Sequence, residues 1–310
     1  MRFARPQDVM TKPESATHTR ASNTTGIVAM LASMAAFTAN DTCVKLIGER
    51  LPLGELIVLR NSTATLYILA FAALFGGLSI PHNPPKALLT WRMLAEAAST
   101  LLFLSALLAM PIADATAIMQ VLPLAITAAA AIYLKEPVGW RRWLAALAGL
   151  IGVLLIAKPG TSAFNPAAIL LLAAVALVVV RDLATRQISG AVPTAMLTLM
   201  SAAAVAPAGF LLLPFETWIW PGSREIWLLL ACGAFLTLAY ALIIVAMRAG
   251  DVAVISPFRY AVILFAIVSG WLVWGEVPDG VQLLGIAIVT LAGLYTFHRE
   301  RRHLAAAPPA

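Results

Sequence analysis

Ten apolar runs separated by short polar breaks fill the chain between Gly26 and Phe297, each close to the roughly 20 residues that a helix needs to cross a hydrocarbon core. They cover residues 26–47, 54–75, 93–109, 114–133, 140–157, 167–188, 196–213, 225–245, 252–274 and 281–297. A backbone amide left without a partner in lipid costs several kcal/mol, so such runs span either as helices or as closed barrels. The alternation of polar and apolar positions that a barrel requires is absent. The pattern predicts an all-α membrane protein with ten transmembrane helices.

Composition supports this. Of the 310 residues, 61% are hydrophobic and 12% charged, whereas a soluble domain carries about 25% charged residues. The charges mark topology. With the N-terminus inside, cytosolic segments hold fourteen basic residues: Arg2, Arg5, Lys12, Arg20, Lys86, Arg92, Lys135, Arg141, Arg142, Arg186, Arg248, Arg299, Arg301 and Arg302. The outer loops hold three, Arg50, Lys158 and Arg224. This bias predicts cytoplasmic termini, and it explains the net charge of +6 without a nucleic-acid partner. No small-residue cleavage site follows the first run, so the start of the chain reads as a cytosolic tail, not a signal peptide. Cys43 and Cys232 lie inside apolar runs and form no paired framework.

An internal repeat organises the runs. Asn40-Asp41-Thr42-Cys43-Val44-Lys45-Leu46-Ile47 returns as Arg181-Asp182-Leu183-Ala184-Thr185-Arg186-Gln187-Ile188, and Leu51-Pro52 as Val192-Pro193. Ala109-Met110 with Asp114 returns as Ala246-Met247 with Asp251, and Glu136 as Glu276. The predicted organisation is a tail over 1–25, a five-helix repeat over 26–157, a linker over 158–166, a second repeat over 167–297 and a tail over 298–310. Five is odd, so the second copy enters the membrane inverted. Inverted repeats typify secondary carriers, whose substrate sits near the midplane between the copies. The short linker predicts that the halves pack as one body.

Ala113-Asp114-Ala115-Thr116-Ala117-Ile118, Leu122-Pro123-Leu124, Leu134-Lys135-Glu136 and then Gly149 and Gly152 resemble the EamA repeat of the drug/metabolite transporter superfamily. So does the second copy, with Ser256-Pro257-Phe258-Arg259-Tyr260 and Phe265 to Gly275-Glu276. The resemblance implies a ten-helix carrier of the bacterial inner membrane that uses neither ATP nor a cofactor. Asn40-Asp41, Arg181-Asp182 and Pro257-Phe258-Arg259-Tyr260 look like the branch that includes bacterial riboflavin importers and S-adenosylmethionine uptake permeases. Riboflavin is the leading expected substrate; S-adenosylmethionine and other amino-acid or drug metabolites are the alternatives. One departure is spacing, since Asp251 precedes Glu276 by twenty-five residues and Asp114 precedes Glu136 by twenty-two.

Ionisable groups retained in the bilayer are functional candidates because each costs about 2.5 kcal/mol or more on insertion scales. Asp41, Lys45, Arg60, Arg181, Asp182 and Arg259 qualify, with Glu96 nearer the cytosol. At about 1.5 Å rise per residue, Asp41 and Arg60 lie about 10 Å below the outer helix ends, and Asp182 and Arg259 about 10 Å above the inner ones. The expectation is an outer cluster of Asp41, Lys45 and Arg60 and an inner one of Arg181, Asp182 and Arg259, acting as alternating gates. The spacing equally allows Asp41 with Lys45 and Asp182 with Arg186 to be i,i+4 pairs that ease insertion.

Between the clusters, Asn40, Asn61, Ser99, Gln120, Ser256 and Tyr260 offer donors and acceptors for a substrate. Phe103, Phe258, Tyr260 and Trp271 offer stacking surfaces. Two aspartates both neutralised by arginines favour neutral riboflavin; an unpaired acid favours S-adenosylmethionine. Pro123 and Pro257 predict breaks in their helices. Ala145, Ala148, Gly149 and Gly152, with Gly285, Ala287, Ala292 and Gly293, form small-residue faces for helix packing or a homodimer. The other expected partner is membrane lipid.

Zinc-protease, nucleophile-elbow and phosphate-loop motifs are absent, and all four histidines lie outside the apolar runs. No catalytic or metal-binding residue is therefore assigned, and the chain does not read as an enzyme. A non-transporting membrane scaffold is the rival from another class, but it gives no reason for charges at mirrored depths.

Overall fold

The computed structural model describes residues 15–75, 85–133, 135, 139–161, 164–188, 192, 194–249 and 252–306. All regular structure among the described residues is helical. The helices are α1 (Ser15–Gly48), α2 (Leu53–Phe75), α3 (Lys86–Ala109), α4 (Ile112–Met119), α5 (Leu122–Tyr133), α6 (Trp140–Ala157) and α7 (Ala167–Ile188). There follow α8 (Thr194–Phe210), α9 (Ser223–Ala249), α10 (Val252–Ile255), α11 (Ala261–Trp274) and α12 (Gly280–Ala306). Eight segments are long and apolar enough to cross a membrane, and Leu199–Phe215 is a shorter apolar stretch. Glu136 and Asp251 lie outside the described residues.

Two of the predicted runs are interrupted. Pro123 has no N–H to give to the Met119 carbonyl, and α4 ends there; the Gln120 amide bonds instead to Thr116 and Ala117, both at 3.2 Å. Pro257 likewise gives no donor to Ala253, and Ser256–Tyr260 tightens into a 3₁₀ turn between α10 and α11. The breaks fall in equivalent helices of the two halves.

The main helix pairs are α1 with α9, α3 with α7, α2 with α8 and α6 with α12. Each joins one half of the chain to the other. Exchanging the halves turns α1–α9 into α7–α3 and leaves α2–α8 and α6–α12 unchanged, so the packing has pseudo-two-fold symmetry. Helix ends reveal direction. The end of α1, the starts of α2, α9 and α12 and the start of α7 meet on one face, where Arg50 bonds Glu225 at 2.7 Å and Asn165 bonds the Ala109 carbonyl at 2.9 Å.

Small residues set the closest approaches. A Cβ on Gly209 of α8 would lie 2.5 Å from the Gly54 carbonyl oxygen of α2, and one on Gly285 of α12 2.6 Å from that of Gly152 in α6. Gly149 is covered by Leu124 and Gly293 by the Tyr260 ring. These glycines pack against neighbouring helices of the same chain. Leu147, Leu150, Ile151 and Leu154 on α6 and Leu283, Leu284 and Leu291 on α12 instead present the exposed apolar surface that suits lipid. Replacing Gly209 or Gly285 with valine is expected to force two backbones apart and cost about 1–3 kcal/mol. Thermal unfolding in detergent should show the loss, while Gly139→Ala, where a Cβ meets nothing within 4 Å, should unfold like the parent.

Candidate functional site

A cavity of about 320 Å³ opens between α2, α3, α7, α8 and α9, lined by Arg60, Asn61, Arg92, Glu96, Phe103, Arg181, Asp182, Thr185, Ser201 and Tyr240. Two of its arginines are held by neighbours. Arg92 donates to Thr185 and Ser201, each at 2.8 Å, and lies 4.0 Å from Glu96. Arg181 pairs with Asp182 at 2.7 Å and with Glu96 at 3.3 Å. These four charged groups balance one another in a bilayer interior, where an unpaired charge is costly.

Arg60 differs. Its Nε is buried without an acceptor, and no carboxylate lies within 4.0 Å of it among the described residues. It neighbours Cys232, and its charge acts on Asp41. Asp41 accepts from Asn40 Nδ2 at 2.9 Å, and Asn40 Oδ1 in turn accepts from Cys232 Sγ at 2.8 Å. Asn40 is thus a bridge buried beside the cavity. Asn61 lines the cavity, with its Nδ2 donated to the Ile57 carbonyl at 2.9 Å. The Tyr240 ring packs edge-on against Phe37 at 5.4 Å, within the field of Glu96, Arg181, Arg60 and Asp41.

The two expected clusters are regrouped. Arg60 shares one cavity with Arg181 and Asp182, so they are not separate gates on opposite sides. Lys45 leaves Asp41 altogether: its Nζ donates to Glu276 Oε1 at 2.8 Å and the Met110 carbonyl at 2.9 Å, and lies 4.7 Å from the Trp274 ring centre. The long stem carries the ammonium toward the helix end, where polar partners gather. The Asp41–Lys45 i,i+4 pair is therefore not formed. The Arg186 side chain lies outside the described residues; among the described ones, Asp182 pairs with Arg181. Arg259 faces a second cavity of about 190 Å³ with Gln120, Ser256 and Tyr260, at the two helix breaks. Trp271 is 59% exposed on the exterior of α11.

Sequence reasoning missed Arg92, Thr185, Ser201 and Tyr240. Arg92 was assigned to a cytosolic segment, yet it is 8% exposed inside α3. Its i,i+4 spacing to Glu96 is the signal that an ion pair was being carried into the membrane. Without it, the basic-residue bias is still thirteen against three.

The face where α1 ends is closed by polar contacts between the halves. Besides Lys45–Glu276 and Arg50–Glu225, Glu216 accepts from the Gly54 amide and Glu55 from the Ile219 amide, both at 2.8 Å. Trp274 donates to Glu49 at 2.9 Å, and Lys158 pairs with Asp279. The hydrogen bond from Lys158, with one from the Gln282 amide, holds the Asp279 carboxyl below its ordinary pKa. No group of three metal-ligating side chains occurs among the described residues.

Over 280 residues, covering 90% of this chain and 94% of the relative, the protein is 25% identical to an S-adenosylmethionine uptake transporter of Rickettsia prowazekii. A riboflavin transporter of Vibrio cholerae is 32% identical over 183 residues, 59% of this chain and 61% of the relative. A pseudopaline exporter of Pseudomonas aeruginosa is 26% identical over 268 residues, 86% of this chain and 93% of the relative. One solved crystal structure shares the fold, with a TM-score of 0.62 at 21% identity, covering 92% of this chain and 99% of the other. Residues 24–158 and 165–297 each match the EamA-like transporter family, and the chain, a multi-pass membrane protein, belongs to that family.

Proposed function

We propose that this transporter is a secondary carrier of a small charged organic metabolite, with S-adenosylmethionine as the substrate the cavity fits best. Its architecture in this reading is ten spans in two inverted five-helix repeats, joined near residues 158–166, in the bacterial inner membrane with both termini cytoplasmic. The antiparallel starts of α1 and α7, the pseudo-two-fold packing and the basic-residue bias support that topology. The closed outer face and the polar cavity beneath it fit a carrier caught sealed to the outside. Solute gradients then set whether it imports, exchanges or exports.

One observation carries the substrate choice: Asp182 is neutralised by Arg181, whereas Asp41 and Arg60 form no ion pair within 4.0 Å among the described residues. A charged ligand complements such a pair, and a neutral one leaves both charges unmet. Riboflavin is the second reading, supported by the Vibrio relative and by Asn61, Phe103 and Tyr240 in the cavity wall. Proteoliposomes containing the purified chain and unlabelled S-adenosylmethionine should accumulate the radiolabelled compound by counterflow, with excess riboflavin failing to compete. Riboflavin counterflow insensitive to S-adenosylmethionine would reverse the choice. Counterflow of neither compound would remove both substrates.

A further inference from the structure

We propose that Arg60 and Asp41 form a clamp for a free α-amino-acid head, so that the cavity selects zwitterionic metabolites by their carboxylate and ammonium and not by a ring system. The proposal rests on the carrier reading above and names the group by which the ligand is held.

Charge matching in the cavity leads to it. Arg92, Glu96, Arg181 and Asp182 satisfy one another through contacts of 2.7–4.0 Å, and Thr185 and Ser201 complete Arg92. Arg60 is the remaining cation of the wall, with a buried Nε that has no acceptor. Asp41 does not itself line the cavity but interacts with Arg60 electrostatically, and it accepts a hydrogen bond from the neutral amide of Asn40. Two opposite charges near each other without an ion pair between them, inside a bilayer, each retain a neutral partner, Cys232 and Asn40, where a charged one is more favourable. A ligand carboxylate completes the guanidinium fork through two parallel N–H···O bonds. The ammonium on the adjacent carbon then faces Asp41, and no net charge is added. Asn40 bonds Asp41 and Cys232 bonds Asn40, so the position of the carboxylate is fixed where α1 packs against α9.

The clamp predicts how parts of a ligand bind. S-adenosylhomocysteine keeps the amino-acid head without a sulfonium charge, whereas 5′-methylthioadenosine keeps the adenosine and lacks the head. Ligand-induced thermal stabilisation of the purified full chain in detergent should show the first binding at least tenfold more tightly than the second. Losing charge-assisted bonds to the head in Arg60→Gln should weaken S-adenosylhomocysteine about tenfold to a hundredfold and leave 5′-methylthioadenosine unchanged. Arg60→Lys, which keeps the charge without the fork, should fall between. Asp41→Asn, nearly isosteric, should weaken the zwitterion at least tenfold and serves if the Arg60 variants do not fold. Equal binding of the two probes, or failure of S-adenosylhomocysteine to bind, overturns the clamp, as does an unaltered affinity for S-adenosylhomocysteine in both Arg60→Gln and Asp41→Asn. Counterflow separates the two claims: uptake of S-adenosylmethionine that 5′-methylthioadenosine inhibits as well as S-adenosylhomocysteine keeps the carrier and removes the clamp. Head-selective binding without counterflow keeps the clamp and removes the carrier.

Discussion

Replacing Glu276 with glutamine is expected to loosen the face where α1 ends and to cut transport by more than about tenfold. Glu276 takes the Lys45 ammonium on Oε1 at 2.8 Å and accepts from the Ile112 amide on Oε2 at 3.3 Å. One side chain thus ties the end of α11 to α1 and to the start of α4, across the two halves. Removing one partner from a fully buried pair costs about 3–5 kcal/mol. The side chains here are 9% and 25% exposed, so solvent screening reduces the figure to about 1–3 kcal/mol. A contact made while this face is closed and broken on opening shifts that equilibrium by about tenfold to a hundredfold. The two native cysteines report it: Cys43 and Cys232 are 8% and 0% exposed. A membrane-impermeant maleimide applied from outside should label them faster in Glu276→Gln than in the parent, with Glu276→Asp intermediate. Parental labelling together with parental transport would show that closure does not depend on this pair.

Arg181→Gln should be the most damaging change inside the cavity. The guanidinium lies between two carboxylates, Glu96 at 3.3 Å and Asp182 at 2.7 Å. Without it, Arg92 remains 4.0 Å from Glu96, and Asp182 loses its ion-pair partner among the described residues. With side chains 16–32% exposed, the expected loss is about 1–3 kcal/mol of stability, below the figure for full burial. Melting of the purified variant should fall accordingly. Adding Asp182→Asn removes the stranded charge and should restore most of the stability, giving a coupling of about 1 kcal/mol or more in the double-mutant cycle. Transport should remain at least about tenfold down in both variants, because the cavity lacks its balanced network. Recovery of transport in the double variant would reduce Arg181 to a structural counter-ion.

The sequence was informative wherever the physics is one-dimensional. The length of an apolar run reports a membrane crossing, and Pro123 and Pro257 remove specific N–H groups whatever surrounds them. Thus the helix positions and both breaks were legible before any packing was known. The recurrence of Asn40-Asp41 as Arg181-Asp182 likewise marked equivalent positions in two copies. Charge pairing was not legible in the same way. Asp41 and Lys45 are one helical turn apart and looked like partners, but Lys45 has a stem long enough to reach Glu276, whose position depends on α11 packing beside α1. Arg92 looked like a topological anchor until α7 and α8 supplied Thr185 and Ser201.

By itself, the sequence marked the apolar segments of a multi-pass membrane protein and the two of them that break. Tertiary structure alone decided that Arg60, Arg181 and Asp182 share a cavity, that Gln120, Ser256, Arg259 and Tyr260 line another, and that Trp271 faces outward. The reason is range: hydrophobic transfer and backbone bonding act within a few neighbouring residues, whereas an ion pair in lipid joins whatever the helix packing brings within a few ångströms.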